Sequence, residues 1–162
     1  MIFQVLDIIK GTTVDGPGFR TAIYLAGCSH RCPGCHNPQS WEESNGRPMS
    51  IEEIMGIVEE EDFDVTLSGG DPLYNPIGIK KLTEAIKNNR RNLWIYTGYS
   101  WEQIIESPQL FEAVKDCDVL VDGEFVESLK NPDLPFRGSS NQRIINVQES
   151  IKQGKIILVN RE

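Results

Sequence analysis

Asp64-Val-Thr-Leu-Ser-Gly-Gly-Asp71 leads to Asn75-Pro76; Ile79, Leu82 and Ile86 then recur at helical spacing before Leu93-Trp-Ile-Tyr96. This stretch reads as a buried strand, a glycine turn, a helix and a second buried strand. Asn75 supplies an N-cap and Pro76 stands at the first helical position, where its missing N–H costs nothing. The same alternation extends both ways. Upstream, Ser50-Ile-Glu-Glu53 is a capping box, followed by an apolar stripe of Ile51, Ile54, Met55 and Val58. Downstream, Ser100-Trp-Glu-Gln103 is a second capping box, and Ser107-Pro108 opens a helix that turns Leu110, Phe111 and Val114 inward. Apolar runs over 2–9, 21–26, 64–67, 93–96, 118–121, 143–147 and 155–159 read as strands, and 148–154 as a short helix or turn. Strands alternating with helices predict an α/β fold with a parallel sheet.

The chain has 162 residues, 39% hydrophobic and 25% charged, with a formal net charge of −8. That length suits one domain over 1–162 with a substantial core. A closed eight-fold β/α barrel needs roughly 250 residues, so an open, partial parallel barrel is expected, its missing side giving access to something large. No apolar run approaches the roughly 20 residues of a membrane span. The first residues lack the pattern of a signal peptide, which makes the cytoplasm the expected address. The acidic balance excludes a nucleic-acid face. Adjacent basic residues occur only at Lys80-Lys81 and Arg90-Arg91, and Glu59-Glu60-Glu61-Asp62 reads as a solvated helix end.

Cys28-Ser-His-Arg-Cys32-Pro-Gly-Cys35 directly follows the strand predicted at 21–26. Three of the four cysteines fall within eight residues, too close to pair readily among themselves, and such a cluster in a cytosolic chain reads as metal-binding or catalytic. Gly27, Pro33 and Gly34 allow a loop that wraps its backbone around a compact ligand. Thiolates hold iron–sulfur clusters. Three of them on a four-iron cubane would leave one iron open to substrate. Cys117 precedes its strand, at the opposite end of a parallel sheet from the loop, and reads as a structural thiol. The competing reading is a zinc site, completed to four ligands by His30 or His36; otherwise His30 has no assigned role.

Two further motifs share that rim. Ser68-Gly69-Gly70-Asp71 follows the strand at 64–67, and Tyr96-Thr97-Gly98-Tyr99 follows the one at 93–96. Each alone is a turn. Together with the cysteine loop they place three chemistries at the C-terminal ends of three strands, where parallel α/β folds bind ligands.

These residues carry a resemblance. Cys28-x3-Cys32-x2-Cys35 followed by His36 is similar to the motif of the radical S-adenosylmethionine (radical SAM) superfamily. Asp15-Gly-Pro-Gly-Phe-Arg20 and Cys35-His36-Asn37 resemble the glycyl-radical-enzyme activases within it. The short length and Arg137-Gly-Ser-Ser-Asn-Gln-Arg143 resemble the branch that acts on the anaerobic, class III ribonucleoside-triphosphate reductase. The likeness runs from about Ile9 to Val147. It implies a radical SAM type of partial barrel and one [4Fe–4S] cluster on Cys28, Cys32 and Cys35, with S-adenosylmethionine chelating the fourth iron. It also implies that Ser68, Gly69, Gly70 and Asp71 contact the methionyl amino group, although many relatives in the superfamily carry glutamate where Asp71 stands. Gly34, Cys35 and His36 would line the adenine side, and Tyr96 and Thr97 the remaining pocket. The implied activity is reductive cleavage of S-adenosylmethionine to a 5′-deoxyadenosyl radical, which takes a hydrogen atom from a glycine of the reductase. The implied electron source is an external one-electron donor such as flavodoxin.

The residues themselves assign 138–143 only as a polar loop before a strand, with Asn141 and Gln142 as candidate docking groups for the partner. Asp15 and Arg20 either support the pocket or pair to stabilise a turn. The closest rival activity is activation of another glycyl radical enzyme such as pyruvate formate-lyase, whose activases are usually longer. A rival of a different class is a non-catalytic zinc module.

Overall fold

A computed structural model describes residues 1–30, 32–35 and 38–159, leaving out the side chain of Gln39. Seven strands form one sheet: β1 Ile2–Thr12, β2 Arg20–Leu25, β3 Arg47–Ser50, β4 Asp64–Gly69, β5 Leu93–Tyr96, β6 Val119–Asp122 and β7 Arg143–Asn146. Their order across the sheet is β3-β1-β2-β4-β5-β6-β7. Among the described residues five α-helices accompany them: α1 Ile51–Glu61, α2 Pro76–Asn88, α3 Trp101–Glu106, α4 Pro108–Val114 and α5 Val147–Gln153.

The helix starts follow local chemistry. Ser50 Oγ accepts from Glu53 N at 3.1 Å while the Glu53 carboxylate accepts from Ser50 N at 3.1 Å. Ser100 and Gln103 repeat that exchange at the head of α3. Asn75 Oδ1 accepts from Gly78 N at the head of α2. Segment 148–154 is helical, with Asn146 as N-cap and Gly154 as a left-handed C-cap.

The sheet is parallel only at its centre, across β2, β4, β5 and β6. β1 is antiparallel to both β2 and β3, and β7 is antiparallel to β6. This corrects the expectation of a parallel sheet throughout. The link from β1 to β2 is too short for the dozen or more residues that a parallel crossover requires. β3 escaped the sequence reading because Pro48 interrupts it, and a proline strand is tolerated only at an edge such as this. The stretch at 155–159 is not a full strand: it lies along β7 through one bridge, Ile145 to Leu158, after the reversal at Gly154.

Alternation sorts each strand's side chains onto two faces. Ile23, Leu25, Val65, Leu67, Leu93, Ile95 and Leu120 join Ile54, Val58, Ile79, Leu82, Ile86, Ile104 and Val114 in the main core under the helices. Each such side chain contributes about 1.5–3 kcal/mol on full burial. The opposite face carries Trp94, Val119, Val121 and Ile144, with Tyr96, Phe136 and Val159 packed against them.

Arg20 is a charged residue on this second face, and only 1% of it is exposed. Its guanidinium donates to Thr66 Oγ1 at 2.9 Å, Val65 O at 2.8 Å, Pro17 O at 3.2 Å and both oxygens of Asn92, and it lies 5.6 Å from the Trp94 ring centroid. Burial pushes its pKa down, opposed first by Asp64. Asp15 is not its partner: the Asp15 carboxylate accepts from the Tyr24 hydroxyl. Because Arg20 pairs with Asp64 at the N-terminal ends of the strands, it lies at the opposite end of β2 from the cysteine loop. Arg20→Met would strand several buried acceptors, so a loss of about 3 kcal/mol is expected in urea unfolding. An unchanged midpoint and slope would show that those acceptors find water instead.

Candidate functional site

The cysteine loop is anchored at its root. Ala26 N donates to Gln4 O, Gly27 N to Ser40 O at 2.7 Å and Cys28 N to Trp41 O at 3.1 Å. Gly27 adopts φ +110°, and a Cβ there would come within 2.6 Å of the Tyr74 ring. Cys35 N donates to Cys32 O, closing a turn through Gly34 at φ +75°. Cys28 is buried, Cys32 and Cys35 are half-buried, and none of the four cysteines is in a disulfide.

The diglycine packs against that root. Gly70 N donates to Leu25 O at 2.7 Å and Asp71 N to Gly27 O at 2.8 Å. A Cβ on Gly69 would lie 2.3 Å from Leu25 N; one on Gly70 would lie 2.5 Å from Gly27 O and 2.6 Å from Ser40 O. The missing side chains therefore let β4 close against the cysteine loop, whatever else they admit.

Asp71 has an internal role. It is 2% exposed. Oδ1 accepts from Leu73 N, and Oδ2 accepts from the Thr97 hydroxyl and from Gly98 N, both at 3.0 Å. His30 Nε2 lies 2.7 Å from the same oxygen, a charge contact without the alignment of a hydrogen bond, and Nδ1 lies 3.1 Å from Glu124 Oε2. The imidazole meets the Tyr99 ring edge-on at 4.6 Å. The Asp71 carboxylate is the main cause holding the His30 pKa above its ordinary value; burial opposes it and Glu124 adds to it. Asp71 and His30 thus join the cysteine loop to the ends of β4 and β5.

These elements enclose a cavity of about 230 Å³. Cys28, Cys32, Cys35, Ser68, Gly69, Gly70, Tyr96 and Thr97 line it, all of them singled out from the sequence. Gly34 and Asp71 do not line it: Gly34 faces Glu127, and Asp71 lies behind the wall. His36 and Asn37 fall outside the described residues. His30, Ser40, Trp41, Phe125, Gly138 and Gln142 also contribute walls that the sequence reading did not assign. The nearest sequence signal for them was position, between two cysteines for His30 and in the polar tail loop for Gln142.

Asn141 and Gln142 spend their amides inside the chain. Asn141 Nδ2 donates to Glu124 O at 2.8 Å, and Gln142 Nε2 donates to Gly123 O at 2.9 Å while its Oε1 accepts from Gly138 N and Ser139 N. Cys117 is completely buried in the main core, its thiol pushed up in pKa by that burial, and it precedes β6 at the sheet end away from the cavity.

Three thiols around a cavity with glycine backbone opposite match the donor set of an iron–sulfur cluster. Burial pushes the Cys32 thiol up, and the Phe125 backbone N–H pulls it partly back. Binding iron would displace that proton, as thiolate ligation requires. Among the described residues no group of three or more His, Cys, Asp or Glu side chains is gathered as for a single ion. A cubane does not ask for that, because each thiolate goes to a different iron. No helix among the described residues is long and apolar enough to cross a membrane.

A family model described as a 4Fe-4S single cluster domain matches residues 14–145. The anaerobic ribonucleoside-triphosphate reductase-activating protein of Escherichia coli (strain K12) is 37% identical over 139 residues, covering 80% of this chain and 89% of that protein. The protein of the same name from Vibrio cholerae is 35% identical over 141 residues, covering 81% and 90%, and that of Enterobacteria phage T4 is 34% identical over 139 residues, covering 81% and 86%. The match spans β2, β4, β5, β6 and both glycine turns, so the cavity lies wholly within the shared region, and the chain belongs to the family of anaerobic ribonucleoside-triphosphate reductase-activating proteins.

Proposed function

We propose that this chain is a single radical SAM domain over 1–162, with its open sheet acting as a partial β/α barrel, and that it generates a glycyl radical on an anaerobic ribonucleoside-triphosphate reductase. The observation that carries the reading is the convergence of Cys28, Cys32 and Cys35 with Ser68, Gly69, Gly70, Tyr96 and Thr97 on one cavity. The three thiolates would hold one [4Fe–4S] cluster. When bound and reduced by an external one-electron donor of the flavodoxin kind, the cluster supplies an electron to the sulfonium of S-adenosylmethionine, which divides into methionine and a 5′-deoxyadenosyl radical that takes hydrogen from the partner's glycine.

The chain's own residues bind, orient and exclude water. Ser68 and the backbone of Gly69 and Gly70 offer polar atoms to the methionyl ammonium and carboxylate, at the end of β4 beside Cys28. Asp71 acts from behind: with its carboxylate committed to Leu73, Thr97 and Gly98, it fixes the β4 and β5 turns rather than reaching the ligand. The Thr97 hydroxyl donates to Asp71 and accepts from Tyr99 N, so Thr97 contributes shape to the wall. Trp41, Tyr96 and Phe125 give the cavity aromatic sides that limit water. Cys35 and His36 would face the adenine from the loop, while Gly34, turned toward Glu127, shapes the turn that presents them. Asn141 and Gln142 remain candidate docking groups, with the qualification that their substitution also releases the loop they brace.

The test is anaerobic reconstitution with iron and sulfide, followed by reductant and S-adenosylmethionine. Brown, oxygen-sensitive protein and 5′-deoxyadenosine are expected. A folded, colourless protein that takes up zinc and forms no 5′-deoxyadenosine would defeat the proposal.

A further inference from the structure

His30 stands midway between Cys28 and Cys32, and its imidazole is seated in a socket made by three other segments. Nε2 lies 2.7 Å from Asp71 Oδ2, just past the end of β4. Nδ1 lies 3.1 Å from Glu124 Oε2, just past the end of β6. The ring meets Tyr99 edge-on at 4.6 Å. It also covers Gly98: a Cβ there would come within 2.6 Å of His30 Cδ2 and 2.9 Å of Nε2. The socket does not give easily. Asp71 Oδ2 accepts from the Thr97 hydroxyl and from Gly98 N, both at 3.0 Å, while Thr97 N donates to Val121 O and Gly123 N donates to Tyr99 O. The His30 side chain is 11% exposed, so the ring has little room to swing. Thr97 and Gly98 stand in the wall of the cysteine cavity, as does His30 itself. Both ring nitrogens lie against carboxylates, which suits a brace rather than a metal ligand.

We propose that His30 is a positioning residue: it fixes the span from Cys28 to Cys32 against the Thr97–Gly98 turn, and so sets where the cluster stands relative to the wall that would receive S-adenosylmethionine. The inference rests on the cluster reading above and deepens it. Cysteine ligands place a cluster only as well as the backbone between them is placed. A three-residue span without secondary structure has several arrangements open to it, and a side chain held at its midpoint by four residues selects one. The turns after β4 and β5 carry much of the cavity wall. A brace from the loop to those turns therefore governs the separation of the reacting groups, not the number of thiols. A misplacement of about 1 Å can cost about 100-fold in rate with every ligand still in place. Gly98 follows from the same contact: any larger residue would push the ring out of its socket, and the glycine makes room for it.

The experiment compares the anaerobically reconstituted full chain as wild type, His30→Ala, Gly98→Ala and the double variant. Four quantities are read on each: iron content, melting temperature, kcat and KM for 5′-deoxyadenosine formation, and the electron paramagnetic resonance of the reduced cluster with and without S-adenosylmethionine. His30→Ala and Gly98→Ala are each expected to retain iron, to lower kcat roughly tenfold and to blunt the spectral change that S-adenosylmethionine induces. The double variant should fall no further than His30→Ala, because alanine at 98 then has no ring to displace. Ile86→Val, a truncation in the main core, controls for lost stability: it should lower the melting temperature and leave kcat and spectrum as they are. Full iron with wild-type kcat and spectrum in His30→Ala overturns the proposal. So do losses that multiply in the double variant, and so does a kcat that falls only in step with iron content. Should Gly98→Ala fail to fold, His30→Gln replaces it. Its amide N–H can reach Asp71, so its kcat should lie between those of His30→Ala and wild type, and a kcat equal to that of His30→Ala overturns the proposal. If wild-type protein binds no cluster, the preceding reading falls and this one with it; a normal wild-type cluster with unmoved variants sinks this one alone.

Discussion

Alanine at any one of Cys28, Cys32 or Cys35 is expected to cut 5′-deoxyadenosine formation roughly 100-fold or more, since even the outer-shell partners of metal ligands are worth roughly 10–100-fold. The three positions should be equivalent in this assay although their environments differ. Cys28 is buried with its N–H on Trp41 O, Cys35 N–H closes the turn onto Cys32 O, and Cys32 is half-buried in the cavity wall. Each would supply one sulfur to the cluster, and Cys117, the remaining cysteine, lies in the main core at the other end of the sheet. Cys117→Ala therefore serves as the control. It removes a buried sulfur at a cost of about 1 kcal/mol and should retain both iron and activity. Iron and sulfide analysis alongside product detection checks the set. Retained activity in any of the three loop variants, or cluster loss in Cys117→Ala, would contradict the assignment of ligands.

Gly70→Ala is expected to lower stability by about 3 kcal/mol, at the upper end for overpacking, and to reduce cluster content with it. The added methyl would meet two backbone oxygens, Gly27 O at 2.5 Å and Ser40 O at 2.6 Å, and neither can swing aside as a side chain can. Relief requires β4 to move from the root of the cysteine loop. That movement would strain the bonds from Gly70 N to Leu25 O and from Asp71 N to Gly27 O. Gly56→Ala provides the contrast. Gly56 lies within α1 with nothing near its missing Cβ, so alanine there should stabilise by about 0.5–1 kcal/mol. Thermal unfolding and iron content under anaerobic conditions distinguish the two. A Gly70→Ala protein with wild-type melting temperature and iron content would mean that the diglycine is spacious rather than tight.

That contrast shows how differently two levels of organisation were legible. The diglycine was visible as a ligand-facing turn, and it does line the cavity. Its close packing on Gly27 and Ser40 was not visible, because those residues lie about 30–40 positions away in the chain and approach only when β2 and β4 pair. Asp71 is similar. From its motif it looked like a group for the ligand; folded, it lies behind the cavity wall and ties the wall residues Thr97, Gly98 and His30 together. Asn141 and Gln142 looked like surface amides, and they instead bind the backbone carbonyls of Glu124 and Gly123 just after β6.

The sequence by itself determined where helices begin, where the central strands run and which sulfurs gather in one loop. Capping boxes, apolar periodicity and cysteine spacing act over a few residues and need no distant partner. Only the tertiary structure decided the antiparallel flanks of the sheet, the proline strand at its edge, the place of Asp71 behind the cavity wall and the bonding of the tail loop to the segment after β6. Each of these depends on backbone groups far apart in the chain finding one another, and hydrogen-bond partners chosen at that distance leave no local pattern to read.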